Sequence, residues 1–209
     1  MKKSALIAMG AVLMTGASAF AGTPTYTSSG NNVLIPDNST VGATLDLVIT
    51  DDAIIKDLNV GLIITHTWQG DLSVTLEHVG FGGPVSLINR PGVPQTVNGF
   101  SADNFGNLTS GVQFVLDDLA ANVYDAPSVA APGTANITGP WKPDGGSLAT
   151  FNGQSTLGTW RLRVLDSAAL DTGAIRTLAL LFDVNPIPGA GSLALLGMAG
   201  VLGGRRRRA

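Results

Sequence analysis

The sequence predicts an all-β protein whose strands pair antiparallel in two packed sheets. Three observations lead to this fold class: short runs in which apolar and polar residues alternate, turn-forming stretches between the runs, and no helical segment of ten residues between the two ends. The composition agrees, because the 209 residues include 27 glycines and 11 prolines and only 13% are charged. We therefore expect a β-sandwich with one core.

Five runs carry the strand pattern. Four of them alternate, and they are Leu45 to Ile49, Leu58 to Ile64, Leu72 to Leu76 and Trp160 to Val164. A period of two turns one set of side chains into a core and leaves the other in solvent. The fifth run, Ile175 to Val184, is apolar on both faces and is therefore expected between layers.

Turn signals separate these runs. Glycine, proline, asparagine and aspartate cluster at residues 80–84, 103–107 and 143–146, and each of these residue types favours tight turns. A longer stretch, residues 126–146, is also rich in proline and glycine. We predict a loop there rather than a linker between two domains, because the strands that follow lack a core of their own.

The first 21 residues predict a secretory signal peptide. Lys2 and Lys3 precede an uncharged apolar stretch from Ala5 to Thr15, and Ala19-Phe20-Ala21 offers small residues before a cleavage site. A membrane-spanning helix is the alternative, for which the stretch is short. We expect export by the Sec route to the cell envelope, the outer surface or the medium.

The other end combines an apolar stretch with a basic cluster. Residues 186–204 are mostly apolar or small and precede Arg205 to Arg208, so an uncleaved chain would keep a short hydrophobic helix in the membrane with the arginines inside. Residues 185–209 resemble a PEP-CTERM sorting tail, which implies an exosortase-like sorting enzyme as a partner. The sequence departs from that family because no glutamate stands between its prolines. A rhombosortase-type tail is the alternative.

Charge and cysteine content exclude several classes of function. All fifteen acidic residues lie between Asp37 and Asp183, where six basic residues give a net charge of 6 − 15 = −9. This balance excludes a basic nucleic-acid-binding face. The absence of cysteine excludes a disulfide framework, a thiolate zinc site and a cysteine nucleophile.

Three stretches share their order and spacing with a known family. They are Ile55 to Leu72, which includes the sequence His-Thr-Trp-Gln-Gly-Asp-Leu, Phe114 to Ala120, which includes Asp-Asp-Leu-Ala, and Trp141 to Gly173, which ends in Asp-Thr-Gly. Together they resemble the P domain, also called the Homo B domain, of proprotein convertases. The resemblance covers residues 37–184 and implies a jelly-roll-like β-sandwich.

The resemblance also implies an association with a catalytic domain. In that family the P domain normally follows a subtilisin-like catalytic domain, stabilises it and affects its calcium dependence, whereas 36 residues precede Asp37 here. The predicted organisation is a signal peptide over residues 1–21, a spacer over 22–36, the P-like domain over 37–184 and the sorting or anchor segment over 185–209.

The sequence predicts no catalytic site. A serine hydrolase needs a base beside its nucleophile, and the two histidines, His66 and His78, are expected at strand ends, where His66 holds a structural position in the resembled family. No serine lies in a Gly-x-Ser-x-Gly elbow. Asp171-Thr172-Gly173 matches an aspartic-protease triplet but occurs once. We expect a turn there, with the aspartate capping backbone and the glycine at positive φ.

Calcium is the predicted ligand. Ca²⁺ takes six to eight oxygens from flexible acidic loops, and five aspartates lie at predicted strand ends or turns, where several could converge: Asp71, Asp117, Asp118, Asp166 and Asp171. The alternative is that these aspartates cap turns and solvate loops. Of the three tryptophans, Trp160 is expected in the core and Trp141 is the candidate for sugar binding.

The predicted function is that of an exported, surface-sorted and non-catalytic P-domain protein, with calcium-stabilised loops and adhesive or scaffolding contacts in the envelope or matrix. One alternative is an accessory domain of a subtilisin-like serine endopeptidase system, acting on a separate secreted peptidase. The other alternative is a carbohydrate-binding module for an extracellular polysaccharide.

Overall fold

A computed structural model describes residues 23–94, 96–100, 104–124 and 136–186. The predicted signal peptide and the predicted tail beyond Pro186 lie outside the described residues. Eleven strands are described: β1 (Thr25–Ser28), β2 (Val33–Ile35), β3 (Ala43–Ile49), β4 (Ala53–His66), β5 (Leu72–His78), β6 (Val85–Asn89), β7 (Asn104–Phe105), β8 (Phe114–Leu116), β9 (Asn136–Ile137), β10 (Gly158–Asp166) and β11 (Gly173–Pro186). Two 3₁₀ turns are also described, Gln69–Asp71 and Leu148–Phe151.

The strands form two sheets, which confirms the predicted all-β sandwich. Sheet A has the order β1-β11-β4-β7-β9, with β2 also paired to β11 and β8 to β4. Sheet B has the order β3-β10-β5-β6, and its three pairs are all antiparallel. In sheet A, the two-residue strands β7 and β9 run parallel.

The core of sheet B follows the alternation in the sequence. Trp160, Leu162 and Val164 are fully buried, and the side chains between them are partly exposed. Leu162 lies between Leu45 on β3 and Leu76 on β5. Burial of such a large aliphatic or aromatic side chain stabilises the fold by about 1.5–3 kcal/mol.

Sheet A is buried on both faces at its centre. Residues 177–180 of β11 are all buried, as are residues 60–64 of β4. This observation confirms the expectation that the run from Ile175 to Val184 lies between layers, although the side chain of Asp183 near its end is exposed. The sequence shows no period of two here because neither face of the strand meets solvent.

Two sequence-based expectations need correction. Residues 22–36 are not a spacer, because β1 and β2 lie within them and both pair with β11. The sandwich therefore begins upstream of Asp37, and the rings of Tyr26 and Phe182 make an edge-to-face contact with their centroids 6.0 Å apart. These strands were missed because their alternation is short and half-exposed. The strand predicted from Leu58 to Ile64 extends in both directions to Ala53 and His66.

The end of the long predicted loop packs on the sandwich. The Trp141 backbone N–H donates to the Val115 carbonyl at 2.9 Å, and the Lys142 N–H donates to the Asn122 carbonyl at 2.8 Å. The described residues up to Asn185 belong to one compact unit. Within the described part of the chain, no helix has the length and apolar character needed to cross a membrane.

Candidate functional site

One end of the sandwich brings together most of the residues singled out from the sequence. Strand β4 ends at His66 and β10 ends at Asp166, while β5 begins at Leu72 beside Asp166 and β11 begins at Gly173. These four strand termini define what we call the His66 end. The 3₁₀ turn Gln69–Asp71 connects β4 to β5 there, and all three of its residues are buried.

His66 is enclosed at this end. Its side chain has no exposed surface, and neither has that of Asp166, whose Oδ2 lies 3.3 Å from His66 Nε2. The other ring nitrogen, Nδ1, lies 2.6 Å from the Trp68 carbonyl oxygen and 3.1 Å from the Trp68 backbone nitrogen. Both ring nitrogens are thus engaged by the protein, and the ring is closed to a substrate. This burial supports the structural position that the sequence comparison assigned to His66.

The Asp-Thr-Gly triplet leads into β11 and is hydrogen-bonded to the end of β4. The Thr67 hydroxyl donates to Asp171 Oδ1 at 2.7 Å and accepts from the Thr172 backbone N–H at 2.9 Å. Gly173 does not belong to the described glycines with positive φ, so the expected reason for a glycine there is wrong. A Cβ at Gly173 would lie 2.2 Å from the Thr65 carbonyl oxygen and 2.4 Å from His66 Cδ2. Glycine is required by close packing against His66.

Among the aspartates at the His66 end, Asp71 has the fewest contacts that offset the negative charge of its carboxylate. Asp71 is 4% exposed. The cation paired with it is Arg90, whose Nη2 lies 3.9 Å from Asp71 Oδ1. No described residue donates a hydrogen bond to this carboxylate. Burial raises the pKa of Asp71, and the negative charges of Asp166 and Asp171 raise it further, against the smaller opposing effects of Arg90 and His66.

An open cavity of about 300 Å³ lies at this end. We call it the Asp71 cavity, and its described lining residues are Trp68, Asp71, Arg90, Asn98, Ala168, Ala169 and Asp171. The Trp68 indole N–H donates to the Asn98 carbonyl at 2.7 Å, which fixes the ring beside the opening. The cavity combines two carboxylates, one guanidinium and an aromatic ring.

The five aspartates predicted to bind calcium do not converge. Asp71, Asp166 and Asp171 lie at the His66 end, whereas Asp117 and Asp118 follow β8, whose Leu116 lies opposite Val60. Val60 is six residues from His66 along β4, a separation of about 20 Å in an extended strand. Asp117 and Asp118 therefore lie beside the middle of β4, well separated from the His66 end.

Asp117 and Asp118 both make capping contacts. Asp118 accepts hydrogen bonds from the Ser147 hydroxyl and from the backbone N–H groups of Leu148 and Ala149, which begin the second 3₁₀ turn. Asp117 Oδ1 accepts from the Leu119 N–H at 2.7 Å. These contacts are the turn-capping alternative to a calcium site.

A second acidic cavity was missed from the sequence. Asp57 on β4 and Asp183 on β11 line it together with Asn59, Thr23 and Thr25, beside the ring of Phe182. Burial raises the pKa of Asp57, and the charge of Asp117, followed by those of Asp118 and Asp183, raises it further. Lys56 contacts Asp183 at 3.4 Å with both side chains nearly half exposed. A sign of this site was available, because Lys56, Asp57 and Asn59 are polar residues within the mostly apolar run from Ala53 to Ile64.

Both acidic cavities offer oxygen ligands for a metal ion, but their described linings do not form a complete coordination shell. In the described residues, no group of three histidine, cysteine, aspartate or glutamate side chains is arranged to hold a metal ion. The Asp57 cavity offers two carboxylates with amide and hydroxyl oxygens from Asn59, Thr23 and Thr25. The Asp71 cavity includes a guanidinium, which opposes a dication. Lys56 contacts Asp183 but does not belong to the described lining of the Asp57 cavity, so this cavity has the more oxygen-rich lining of the two.

His78 ends β5, as expected, but it is buried in the core and does not lie at a polar or edge position. It is 1% exposed, and its ring stacks between Phe81 and Trp160 with centroids 4.1 and 4.2 Å away. Its nitrogens lie 3.0 Å from Gln154 Oε1 and 3.0 Å from the Leu157 carbonyl oxygen. Trp160 is fully buried, as expected.

Trp141 is partly buried and not fully exposed to solvent. Its indole N–H donates to the Thr138 carbonyl at 2.6 Å. Its ring packs edge-to-face with that of Tyr124, with the ring centroids 6.0 Å apart and an angle of 72° between the ring planes. These contacts leave only part of the ring for a sugar. A binding role for Trp141 stays a prediction.

Comparison with known proteins gives two kinds of similarity. No family model matches the chain. The chain is 30% identical over 148 residues to proteins named calcium-dependent protease from Nostoc sp. and from Trichormus variabilis. The match covers 70% of this chain and 17% of those proteins, so the chain corresponds to a small part of their length.

The solved structures that match part of the chain include a serine protease of Aeromonas sobria. In its complex with a chaperone, the match covers 78% of this chain and 26% of the protease, with 13% identity and a TM-score of 0.45. In a structure of the protease alone, it covers 76% of this chain and 26% of the protease, with 13% identity and a TM-score of 0.43.

Proposed function

We propose that this chain supplies a non-catalytic, P-domain-like β-sandwich that accompanies a protease. The observation that carries the proposal is the 30% identity over 148 residues to only 17% of two calcium-dependent proteases. A match to so small a part of a protease is what a shared non-catalytic domain would produce. The protease-accessory alternative is thus preferred to an adhesive or scaffolding role, which stays a prediction.

The positions of the two histidines support the non-catalytic part of this proposal. A general base must lie within hydrogen-bond reach of the group whose proton it removes. His66 is engaged by Asp166 and by the Trp68 backbone, and His78 is stacked in the core. Asp171, in the single Asp-Thr-Gly triplet, accepts a hydrogen bond from Thr67.

An affinity experiment tests the association. The full chain, carrying an affinity tag, is used as bait with extracts of its source organism, and the retained fraction is assayed for hydrolysis of casein and identified by mass spectrometry. We expect an active protease in that fraction, and no hydrolysis by the bait alone. A tagged, unrelated β-sandwich is the matched control. Retention of no protease, or hydrolysis by the bait itself, would contradict the proposal.

Calcium is proposed as a stabilising ligand of the sandwich. The similar proteases are named calcium-dependent, and the cavity formed by Asp57, Asp183 and Asn59 is lined by the hard oxygen donors that this ion prefers. Asp57 and Asp183 would hold the ion there, and bound calcium would relieve the repulsion among neighbouring carboxylates. Thermal melts in calcium, magnesium and chelator, with and without Asp57→Asn, test this binding.

Export and sorting belong to the same proposal. The signal-like residues 1–21 and the PEP-CTERM-like residues 185–209 would bring the sandwich to the cell envelope, with an exosortase-like enzyme acting on the tail. Deletion of residues 186–209 should then move the protein from the surface fraction to the medium. An unchanged distribution between these fractions would contradict the sorting role.

A further inference from the structure

The end of the sandwich opposite the His66 end carries an exposed aromatic ring. In sheet B, β3 and β5 end there and β10 begins there, since Gly158 pairs with Ile49 and Trp160 with His78. The turn after β5 holds Phe81 between two glycines with positive φ. We call this end of the sandwich the Phe81 end.

Four apolar side chains are exposed together at the Phe81 end: Val48, Val79, Phe81 and Leu157. Val48 lies opposite Thr159 on β10, and the Val79 N–H donates to the Thr159 carbonyl at 2.9 Å, so these residues are neighbours across the sheet. Phe81 stacks on His78, whose Nε2 lies 3.0 Å from the Leu157 carbonyl oxygen, yet Phe81 is still 52% exposed. Exposed apolar residues that cluster in this way mark contacts with a protein or a membrane.

The chain enters and leaves the sandwich at this same end. Strand β11 begins at the His66 end and ends 14 residues later at Pro186, which is about 45 Å away in an extended strand. Strand β1 runs antiparallel to β11, and the Phe182 N–H donates to the Pro24 carbonyl at 3.0 Å. The predicted signal peptide, residues 1–21, and the predicted apolar segment, residues 186–204, therefore both join the sandwich at the Phe81 end.

We propose that the Phe81 end rests on a lipid bilayer, with Phe81 inserted among the headgroups. A membrane is favoured over a partner protein because the segment predicted to enter the bilayer starts at this end, which keeps the apolar cluster within reach of lipid. Phenylalanine and leucine side chains are typical of surfaces that lie in the boundary between headgroups and acyl chains. The inference rests on the anchoring role proposed for the tail and deepens it, because it turns the His66 end away from the membrane.

The charges beside the cluster specify the kind of lipid. Asp51 and Asp52 are exposed in the turn between β3 and β4. They accept hydrogen bonds from the hydroxyls of Tyr26 and Ser155, which are neutral donors and leave the negative charges in place. An anionic membrane surface repels such groups. We therefore expect the Phe81 end to prefer a zwitterionic bilayer.

The absence of cysteine from the sequence allows labelling at single sites. Gly83→Cys places an environment-sensitive nitrobenzoxadiazole fluorophore beside Phe81, at a position where a Cβ meets nothing within 4 Å. Leu170→Cys is the matched control, because Leu170 is exposed and adjoins Asp171 at the His66 end. The labelled full chain is reconstituted in phosphatidylcholine vesicles, with and without a nitroxide-bearing lipid, in calcium-free buffer. We expect a blue shift and nitroxide quenching at residue 83 alone, and less of both in phosphatidylglycerol vesicles.

A second substitution separates insertion of the ring from tethering by the tail. Phe81→Ser, with folding checked by a thermal melt, should return the emission at residue 83 toward its value in water. Leu108→Ser replaces a similarly exposed side chain in the turn between β7 and β8 and should leave the emission unchanged. Flotation of the chain with the vesicles reports the tail independently and should survive both substitutions.

The outcomes distinguish this inference from the anchoring on which it rests. The inference is overturned if the chain floats but the label at residue 83 stays in water, if the label at residue 170 is quenched equally, or if Phe81→Ser has no effect. Protection of residue 83 by proteins of a lipid-free extract, and not by vesicles, would overturn it in favour of a protein partner. Failure of the chain to float would contradict the proposed anchoring itself, and this inference with it.

Discussion

His66 Nε2 lies 3.3 Å from Asp166 Oδ2, and neither side chain has any exposed surface. This contact joins the end of β4 in sheet A to the end of β10 in sheet B. Because Asp171, Thr172 and Gly173 pack against the same end of β4, the pair holds together the floor and one wall of the Asp71 cavity. The His-Thr-Trp-Gln-Gly-Asp sequence is thus a structural corner of the domain.

Removal of one member of this pair should be strongly destabilising. His66→Gln removes the imidazole that contacts the buried carboxylate of Asp166, and loss of a hydrogen bond to a charged group costs about 1.5–3 kcal/mol. Urea unfolding of His66→Gln, Asp166→Asn and the double variant measures the coupling. We expect the double variant to lose less stability than the sum of the single changes. Additive losses would show that the two side chains act independently.

Asp71→Asn should stabilise the protein at neutral pH. The raised pKa of Asp71 means that the folded state binds the proton more tightly than the unfolded state, so this group lowers stability as pH rises above its ordinary value of 3.8. The neutral variant should melt roughly 2–4 °C higher at pH 7, the shift that about 1 kcal/mol produces in a domain of this size. The difference should vanish in acid, where Asp71 is protonated in both states.

The control for this measurement is Asp46→Asn. Hydrogen bonding to Arg161 lowers the pKa of Asp46, so its ionised form contributes stability that is present at neutral pH and is lost as pH falls. Asp46→Asn should therefore change the melting temperature at pH 7 in the opposite direction, and only slightly, because the pair is exposed. A lower melting temperature for Asp71→Asn would contradict the charge balance described at the His66 end.

Gly173→Ala should destabilise the domain through a steric clash. A Cβ there would lie 2.2 Å from the Thr65 carbonyl oxygen, and overpacking of this kind costs about 1–3 kcal/mol. Gly83→Ala is the matched control, since a Cβ at that position meets nothing within 4 Å and its φ is outside the positive region. Thermal melts should show a clear loss for Gly173→Ala and none for Gly83→Ala. Equal melting temperatures would show that the end of β4 yields to the added methyl.

Calcium should raise the melting temperature of the full chain, and magnesium should not. At a hundred times its dissociation constant, a ligand of the folded state adds about 2.7 kcal/mol. Asp57→Asn should abolish this gain, whereas Asp71→Asn should retain it, because we place the ion in the Asp57 cavity. Identical melts in calcium, magnesium and chelator would contradict calcium binding, and loss of the gain in Asp71→Asn alone would move the ion to the His66 end.

The sequence predicted the fold because alternation in residues 58–64, 72–76 and 160–164 has one physical meaning in a sandwich. It did not predict β1 and β2, which are short edge strands with half-exposed side chains. It also could not decide which aspartates meet, since that depends on strand pairing. Asp166 and Asp71 are 95 residues apart in the chain yet adjoin through the pairing of Asp166 with Leu72, while Asp117 and Asp118 lie beside the middle of β4.

The sequence also could not show why residue 173 must be a glycine. Gly173 is required by contact with β4, not by the turn conformation that the Asp-Thr-Gly pattern suggests. Likewise, burial of His66 and His78 depends on neighbours that are distant in the chain. Asp166 contacts the first, and Trp160 stacks on the second.

The most direct test of the proposed function is covalent labelling with a fluorophosphonate probe, which reacts with the nucleophile of active serine hydrolases. The purified full chain and the complex that it retains from extracts of its source organism are treated together and resolved by size. A non-catalytic, protease-associated sandwich predicts a labelled partner band and an unlabelled band for this chain. Label on this chain itself, or no labelled partner in the retained complex, would contradict it.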